Sequence, residues 1–144
     1  MQIHVQLTHE RLEGLPTLSS PSGPVGARVE FVGIVRDQED GRTIAALEYE
    51  AYQPMAEREI ERLLSELQPR HPCLSVQVLH RLGVVPVGEA AIIVRIFAAH
   101  RREAFELLAR FMDRLKEDVP IWKRRSWTRT ELAAQGDHNQ AAPG

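Results

Sequence analysis

Two lysines flank a predicted turn in the segment "LKEDVPIWKRR", which runs from residue 115 to residue 125. Lys116 lies in the last turn of a helical pattern, where a cation interacts favourably with the negative end of the helix dipole. Lys123 follows the turn in a strand pattern that places Ile121 and Lys123 on one face. If Ile121 faces the core, Lys123 begins at least partly buried, and its amine could act as an acid, a base or a nucleophile.

A second group of cations opens the preceding helix pattern. The sequence "HRRE" puts His100, Arg101 and Arg102 at the positive end of the helix dipole, where acidic residues are normally favoured by ~0.3–1 kcal/mol each. The two arginines either point into solvent, with Glu103 partly compensating, or join free backbone N–H groups in binding a phosphate or carboxylate. We favour the anion site, because Arg36, at the end of the strand "FVGIVR", and the two lysines can be brought to the same place.

Other candidate chemistry gives weaker signals. The histidines, at positions 4, 9, 71, 80, 100 and 138, show no spacing typical of a metal site, and neither a glycine-rich phosphate loop nor Gly-x-Ser-x-Gly occurs. Cys73 is either a nucleophile or, as is more common for a lone cysteine just before a strand, a small apolar packing residue. We therefore expect neither a metal nor a cofactor.

Length and composition limit the class of protein. The chain has 144 residues and a net charge of −2, which supports one core, predicted over residues 1–130, and argues against a broad nucleic-acid surface. No apolar run is long enough to cross a membrane. The single cysteine and the absence of a secretion-signal pattern favour a cytoplasmic protein. Residues 131–144 lack periodicity and are expected to form a mobile tail.

Apolar periodicity predicts two main helices and six strands. The helices cover residues 54–70 and 101–118, and the second should bury one stripe made of Phe105, Leu108, Met112 and Leu115. The strands cover residues 3–8, 27–35, 43–52, 74–83, 90–99 and 120–128. Because the strands come in runs, the predicted fold class is α+β with a mostly antiparallel or mixed sheet.

Four segments carry a resemblance to a known family. "FVGIVRD", "LEYEAYQPMAEREI", "HRLGVVPVGEAAIIVRIFAAHRREAF" and "LKEDVPIWKR" occur in this order between residues 27 and 124. They resemble the large, catalytic subunit of molybdopterin synthase. The resemblance implies an α/β hammerhead-type fold and a homodimer that binds one small ubiquitin-like sulfur-carrier subunit at each end, giving a heterotetramer. It also implies that the carrier's C-terminal Gly-Gly thiocarboxylate gives sulfur to cyclic pyranopterin monophosphate, forming the dithiolene of molybdopterin in two rounds.

The same resemblance implies a shared substrate pocket with six cationic residues: Arg36, His100, Arg101, Lys116, Lys123 and Arg124. Lys116 matches the catalytic lysine, and we expect Lys123 to take part in catalysis as well. Trp122 would be buried and would anchor the turn from the other face. A cationic pocket suits this reaction, because both reactants are anions and an ammonium can stabilise or protonate the charge that develops.

The resemblance weakens near the C-terminal end. After Trp-Lys-Arg the family usually has Glu, whereas Arg125, Ser126 and Trp127 follow here. This divergence leaves open a catalytically silent module of the same fold that binds the carrier. A basic-aromatic nucleic-acid binder built on "IWKRRSW" is a third hypothesis, disfavoured because the chain is not basic and aromatics are 6% of it.

Overall fold

The fold class predicted from the sequence, α+β, is confirmed. The computed structural model describes residues 1–141. The helices are α1 (Met55–Leu67), α2 (Arg101–Asp118) and α3 (Arg129–Ala141), with a short 3-10 helix at Leu12–Gly14. The strands are β1 (Gln2–Thr8), β2 (Ala27–Ile34), β3 (Gln38–Glu39), β4 (Arg42–Thr43), β5 (Ala46–Ala51), β6 (Ser75–Arg81), β7 (Gly83–Pro86), β8 (Ala90–Ala98) and β9 (Ile121–Trp127).

A four-stranded sheet in the order β1-β6-β8-β2 carries the main core. The β1–β6 pair is parallel and the other two pairs are antiparallel. Helices α1 and α2 cover one face, with Leu63 and Phe111 fully buried against it. Leu12 of the 3-10 helix packs on the opposite face against Leu79 and Ile93. Strand β8 is therefore buried at every position, which explains why its sequence is apolar apart from Arg95, a buried residue that pairs with Glu30.

The predicted buried stripe of α2 is displaced by one residue. The buried positions are Ala104, Leu107, Phe111 and Leu115, whereas Phe105 is 56% exposed. Successive residues of a helix are rotated by about 100°, so two neighbouring apolar stripes exist on α2, and helical spacing alone does not select between them. The sheet takes the stripe centred on Phe111, which leaves Phe105 outside the core.

A second, three-stranded sheet in the order β7-β5-β9 stands beside the first. Its strands are antiparallel, and it has its own apolar cluster of Val35, Ile44, Leu47, Val85 and Ala91. The register between β5 and β9 shifts once, because Glu48 pairs with Arg125 while the next residue, Tyr49, pairs with Lys123. Arg124 is thus the extra residue of a β-bulge.

A small hairpin, β3–β4, lies between β2 and β5, where the sequence predicts a polar loop. Its turn residues, Asp40 and Gly41, have φ values of 52° and 78°, which match the Asp-Gly turn signal. Across the hairpin, Gln38 Nε2 donates a hydrogen bond to Thr43 Oγ1 at 3.0 Å. The hairpin therefore has a defined geometry close to the start of the second sheet.

Helix α3 occupies most of the segment expected to form a mobile tail. It starts with a capping box, in which the Glu131 amide donates to Thr128 Oγ1 at 3.2 Å and the Thr128 amide donates to Glu131 Oε1 at 2.9 Å. The sequence "TRTE" is a signal for the start of a helix, but the apolar periodicity that would predict the rest of the helix is absent. The mobility of this tail remains a prediction, and residues 142–144 lie outside the described part.

Candidate active site

A cleft of about 580 Å³ lies where the second sheet meets β2, β8 and the C-terminal end of α2. Its walls are largely apolar and include Phe31, Ile34, Ile92, Met112 and Leu115. Three cationic side chains also line it: Arg36, Lys116 and Lys123. Three of the six predicted site residues, distant along the chain, are thus brought to one concave surface.

Each cation reaches the cleft from a different element. Arg36 follows the end of β2, Lys116 lies in the last turn of α2, and Lys123 lies on β9 opposite Tyr49. Within residues 1–141, Lys123 is the one cation of the three with an ion-pair partner: its Nζ lies 3.2 and 3.4 Å from the two carboxylate oxygens of Glu39. The Lys123 side chain is half-exposed, at 48%.

The lysine content of the chain points to this cleft independently. The sequence has 18 cationic residues, of which Lys116 and Lys123 are the two lysines and the other 16 are arginines. Both lysines line the cleft. A guanidinium stays protonated, whereas an ammonium can give up its proton to a reacting group, and the amine that results can donate its lone pair. The cleft therefore holds the chain's two side-chain amines.

His100 and Arg101 lie at the other end of α2, away from this cleft. Fifteen residues separate Arg101 from Lys116, which corresponds to about 22 Å along the helix axis. His100 instead lines a second cavity of about 390 Å³ together with Cys73 and Glu103. One copy of the chain therefore does not bring these two residues to the same small ligand as Lys116.

Arg124 and its neighbours lie on the outer side of β9. The Arg124 guanidinium is 3.0 Å from Glu48 and 3.3 Å from Glu50, and it does not line the cleft. Arg125 stacks over the ring of Trp127 at 3.7 Å and contacts Glu131 of α3 at 2.7 Å. The departure from the family pattern at Arg125 therefore contacts the C-terminal helix and not the cleft.

The prediction that Trp122 is buried is wrong, and the buried tryptophan is Trp127. Trp122 is 45% exposed and lines the cleft, whereas Trp127 is 9% exposed and donates its indole N–H to Glu48 at 3.0 Å. The bulge at Arg124 places both tryptophans on the same face of β9, so the difference comes from their positions along the strand: Trp127 lies opposite the fully buried Ala46, whereas Trp122 lies opposite the half-exposed Glu50. Trp122 is therefore available as a flat apolar surface at the cleft.

Cys73 is buried, and burial together with the nearby Glu103 charge raises its pKa to about 11. The thiol is neutral near pH 7, and neutral thiols are poor nucleophiles. Its position in the main core cluster supports the interpretation as a packing residue.

Three polar cleft residues were not predicted from the sequence: Glu39, Tyr49 and His80. The His80 ring packs edge to face against Tyr49, with centroids 5.1 Å apart. His80 Nδ1 donates to the Arg81 carbonyl oxygen at 2.9 Å, and burial lowers the pKa of the imidazole, so the ring is neutral with its proton on Nδ1. Burial, followed by the charge of Glu39, raises the pKa of Tyr49. For His80, the available signal was a histidine in the mainly apolar strand "VQVLH".

Residues 1–141 contain neither a metal-binding cluster nor a membrane-spanning helix. No group of three or more His, Cys, Asp or Glu side chains is arranged to hold a metal ion. No helix in this range combines the length and the apolar character needed to span a bilayer.

The fold and the cleft define the class as an α+β protein with a cationic, apolar-walled cleft that contains two amines. The sequence profile described as "MoaE protein" matches residues 5–118, and the chain belongs to this family. A molybdopterin synthase catalytic subunit from Pyrococcus abyssi is 42% identical over 127 residues, covering 88% of this chain and 84% of that protein. Membership confirms the resemblance seen in the sequence and the sulfurtransferase activity expected from it.

Solved structures agree with this assignment. The crystal structure of molybdopterin synthase from Staphylococcus aureus matches with a TM-score of 0.69 and 33% identity, covering 76% of this chain and 80% of that one. A complex of subunits 1 and 2 of the molybdopterin-converting factor from Helicobacter pylori matches with a TM-score of 0.59 and 26% identity, covering 75% and 74%.

Proposed function

We propose that this chain transfers sulfur from the thiocarboxylated C-terminus of a small carrier subunit to cyclic pyranopterin monophosphate, forming the dithiolene of molybdopterin. One observation carries the proposal: the two lysines of the chain and Arg36 converge on one cleft. The Helicobacter pylori complex of two converting-factor subunits supports a small-subunit partner. A cytoplasmic location belongs to the same proposal, since the buried Cys73 thiol is free.

The cleft suits two anionic reactants. Arg36 offers a guanidinium fork, which matches a phosphate group, and the apolar walls with Trp122 offer contact area for a flat ring system. The lysines provide positive charge for the thiocarboxylate and for the charge that develops during transfer. Holding both reactants in one cleft replaces an encounter between two like-charged molecules with a positioned reaction.

Lys116 is the proposed proton donor. The carrier sulfur attacks a carbon of the pterin side chain, so that a C–S bond forms and a C–O bond of this carbon breaks, and the leaving oxygen takes a proton from the Lys116 ammonium. Water then hydrolyses the thioester that joins the carrier to the pterin, which leaves the sulfur on the pterin and releases the carrier as its carboxylate. Lys123, on the facing strand β9, stabilises the same charge from the other side of the cleft. An arginine is a poor substitute in this role, because its guanidinium does not release a proton in the ordinary pH range.

A homodimer would supply the remaining cations. His100 and Arg101 are exposed and lie about 22 Å from Lys116 in the same copy. A two-fold arrangement that places the N-terminal end of α2 from one copy beside the cleft of the other would join them to Arg36 and the lysines. Arg124, paired with Glu48 and Glu50, has no proposed contact with the substrate.

Reconstitution with a thiocarboxylated carrier and cyclic pyranopterin monophosphate tests the proposal. We expect the wild-type chain to form molybdopterin, and Lys116→Ala to abolish turnover while retaining carrier binding. Carrier binding without any turnover by the wild-type chain would instead support the catalytically silent module. The nucleic-acid hypothesis has little support, because Arg124 and Arg125 are paired with carboxylates and Trp127 is buried.

A further inference from the structure

Glu39 is the one acidic residue that lines the cleft within residues 1–141. A carboxylate in a cleft that binds anions opposes binding, so its presence needs a physical reason. Its side chain is 22% exposed, and both of its oxygens lie within 3.4 Å of Lys123 Nζ. Glu39 therefore acts on one particular ammonium and is not a freely solvated charge.

The β3–β4 hairpin presents Glu39 in a defined position. Asp40 and Gly41 close the turn directly after it, and the bond from Gln38 to Thr43 joins the two strands. Arg42 of the same hairpin lies 3.9 Å from Glu131 of α3. The carboxylate is thus carried by an ordered element that contacts a neighbouring helix.

The pairing is selective among the cations of the cleft. Arg36 and Lys116 line the same cleft, but in the described residues the ion pair with Glu39 is made by Lys123. Tyr49 pairs with Lys123 across the two strands, and the Glu39 charge contributes to raising its pKa. Glu39 therefore faces the interior of the cleft, where the substrate would lie.

We propose that Glu39 is a positioning residue for Lys123, which it holds in the cleft and for which it competes with the incoming anion. This inference rests on the proposed function of the cleft. A lysine side chain is long and flexible, so a fixed carboxylate narrows the positions of its ammonium before the substrate arrives. The same carboxylate weakens substrate binding, because the anion must either share the Lys123 ammonium with Glu39 or displace Glu39 from it.

Glu39→Gln keeps the size of the side chain and removes its charge. We expect the KM for cyclic pyranopterin monophosphate to fall by roughly two- to fivefold, the range for a half-exposed ion pair. We expect kcat to fall as well, because the Lys123 ammonium is less fixed. Glu59→Gln is the matched control, since Glu59 pairs with Arg62 at 3.0 Å on the surface of α1, and both constants should stay unchanged. A KM that rises or stays constant in Glu39→Gln would overturn the inference, as would an unchanged kcat.

Amine labelling tests the contact without any turnover. Because the chain has two lysines, acetylation followed by peptide mass spectrometry reports Lys116 and Lys123 separately. We expect Glu39→Gln to raise the labelling rate of Lys123 relative to Lys116, since an amine held against a carboxylate is less accessible to the acetylating reagent. Equal relative rates in both proteins would overturn the inference. If the wild-type chain shows no turnover, the proposed function fails, while labelling still decides whether Glu39 holds Lys123.

Discussion

The two ends of α2 carry similar charges in different surroundings. At the C-terminal end, Lys116 faces Arg36 and Lys123 across an apolar-walled cleft. At the N-terminal end, Arg101 and Arg102 are exposed, and Arg102 is paired with Glu106 at 3.1 Å on the same helix. The difference shows that a cation becomes part of a site through the neighbouring elements that bring other cations to the same cleft, even where each cation is itself exposed. In one copy, the C-terminal end of α2 borders this cleft and is called the enclosed end; the N-terminal end, whose Arg101 and Arg102 do not line the cleft, is called the open end.

Lys116→Arg keeps the positive charge at the enclosed end but removes a proton that can be transferred. The variant therefore separates the contribution of proton transfer to catalysis from that of charge. We expect turnover to fall by about 10²-fold or more, because general acid catalysis typically contributes 10²–10⁴-fold and the guanidinium keeps its proton. Single-turnover formation of molybdopterin measures the effect. Unfolding should change by less than ~0.5 kcal/mol, since the residue is exposed. Wild-type rates in Lys116→Arg would mean that positive charge alone suffices.

Arg36→Ala and Arg102→Ala compare two exposed arginines, of which Arg36 lines the cleft and Arg102 does not. A hydrogen bond to a charged group contributes about 1.5–3 kcal/mol, so Arg36→Ala should weaken binding of cyclic pyranopterin monophosphate by roughly 10- to 100-fold. Arg102→Ala should leave the affinity unchanged, because Arg102 is engaged with Glu106. Calorimetric titration of both variants measures the difference. Equal losses of affinity in the two variants would show that the total charge of the protein, and not the position of the arginine at the cleft, determines substrate affinity.

Mixing two inactive variants tests whether the open end completes a neighbouring cleft. Arg101→Ala and Lys116→Ala damage different ends of α2, so an exchanged dimer would contain one intact site if each site draws on both copies. An equimolar mixture should then recover about a quarter of wild-type activity, assuming random exchange. The control is each variant exchanged with itself. No recovery despite verified exchange would place Arg101 outside the partner's site.

A smaller effect concerns His80, the buried titratable group at the enclosed end. Its pKa is lowered by burial, so the unfolded chain binds a proton more readily than the folded chain as the pH falls below about 6.5. Stability contributed by this group is therefore present above that pH and is lost as the pH falls through the folded-state value, with a slope of at most about 1.4 kcal/mol per pH unit.

Urea unfolding between pH 7 and pH 5 measures this slope. His80→Gln should flatten it, whereas the control His4→Gln should not, because His4 is exposed on β1. An unchanged slope in His80→Gln would show that other groups determine the acid sensitivity.

The sequence predicted the positions of the helices and strands better than it predicted which of their faces are buried. The Asp40–Gly41 turn and the positions of both helices were readable because local geometry determines them. The exposure of Phe105 and Trp122 was not, since it depends on which of the two apolar stripes of α2 meets the sheet and on which part of β5 each residue of β9 pairs with. The separation of Arg101 from Lys116 could have been calculated from the helix alone. Partners that meet through tertiary pairing, such as Glu39 and Lys123, leave no local signal.

The bulge at Arg124 divides β9 into two halves, in which the alternation of side chains between the two faces is set separately. Lys123 lies on the Tyr49 side, while Trp127, four residues later, lies on the Glu48 side, although a regular strand would place both on one side. Deleting Arg124 would remove the bulge and leave Arg125 opposite Glu48, so the downstream half would keep its faces and the indole of Trp127 would stay on the Glu48 side. A single deletion is therefore tolerable at this point, whereas a single deletion elsewhere in β9 would reverse which face each downstream side chain occupies.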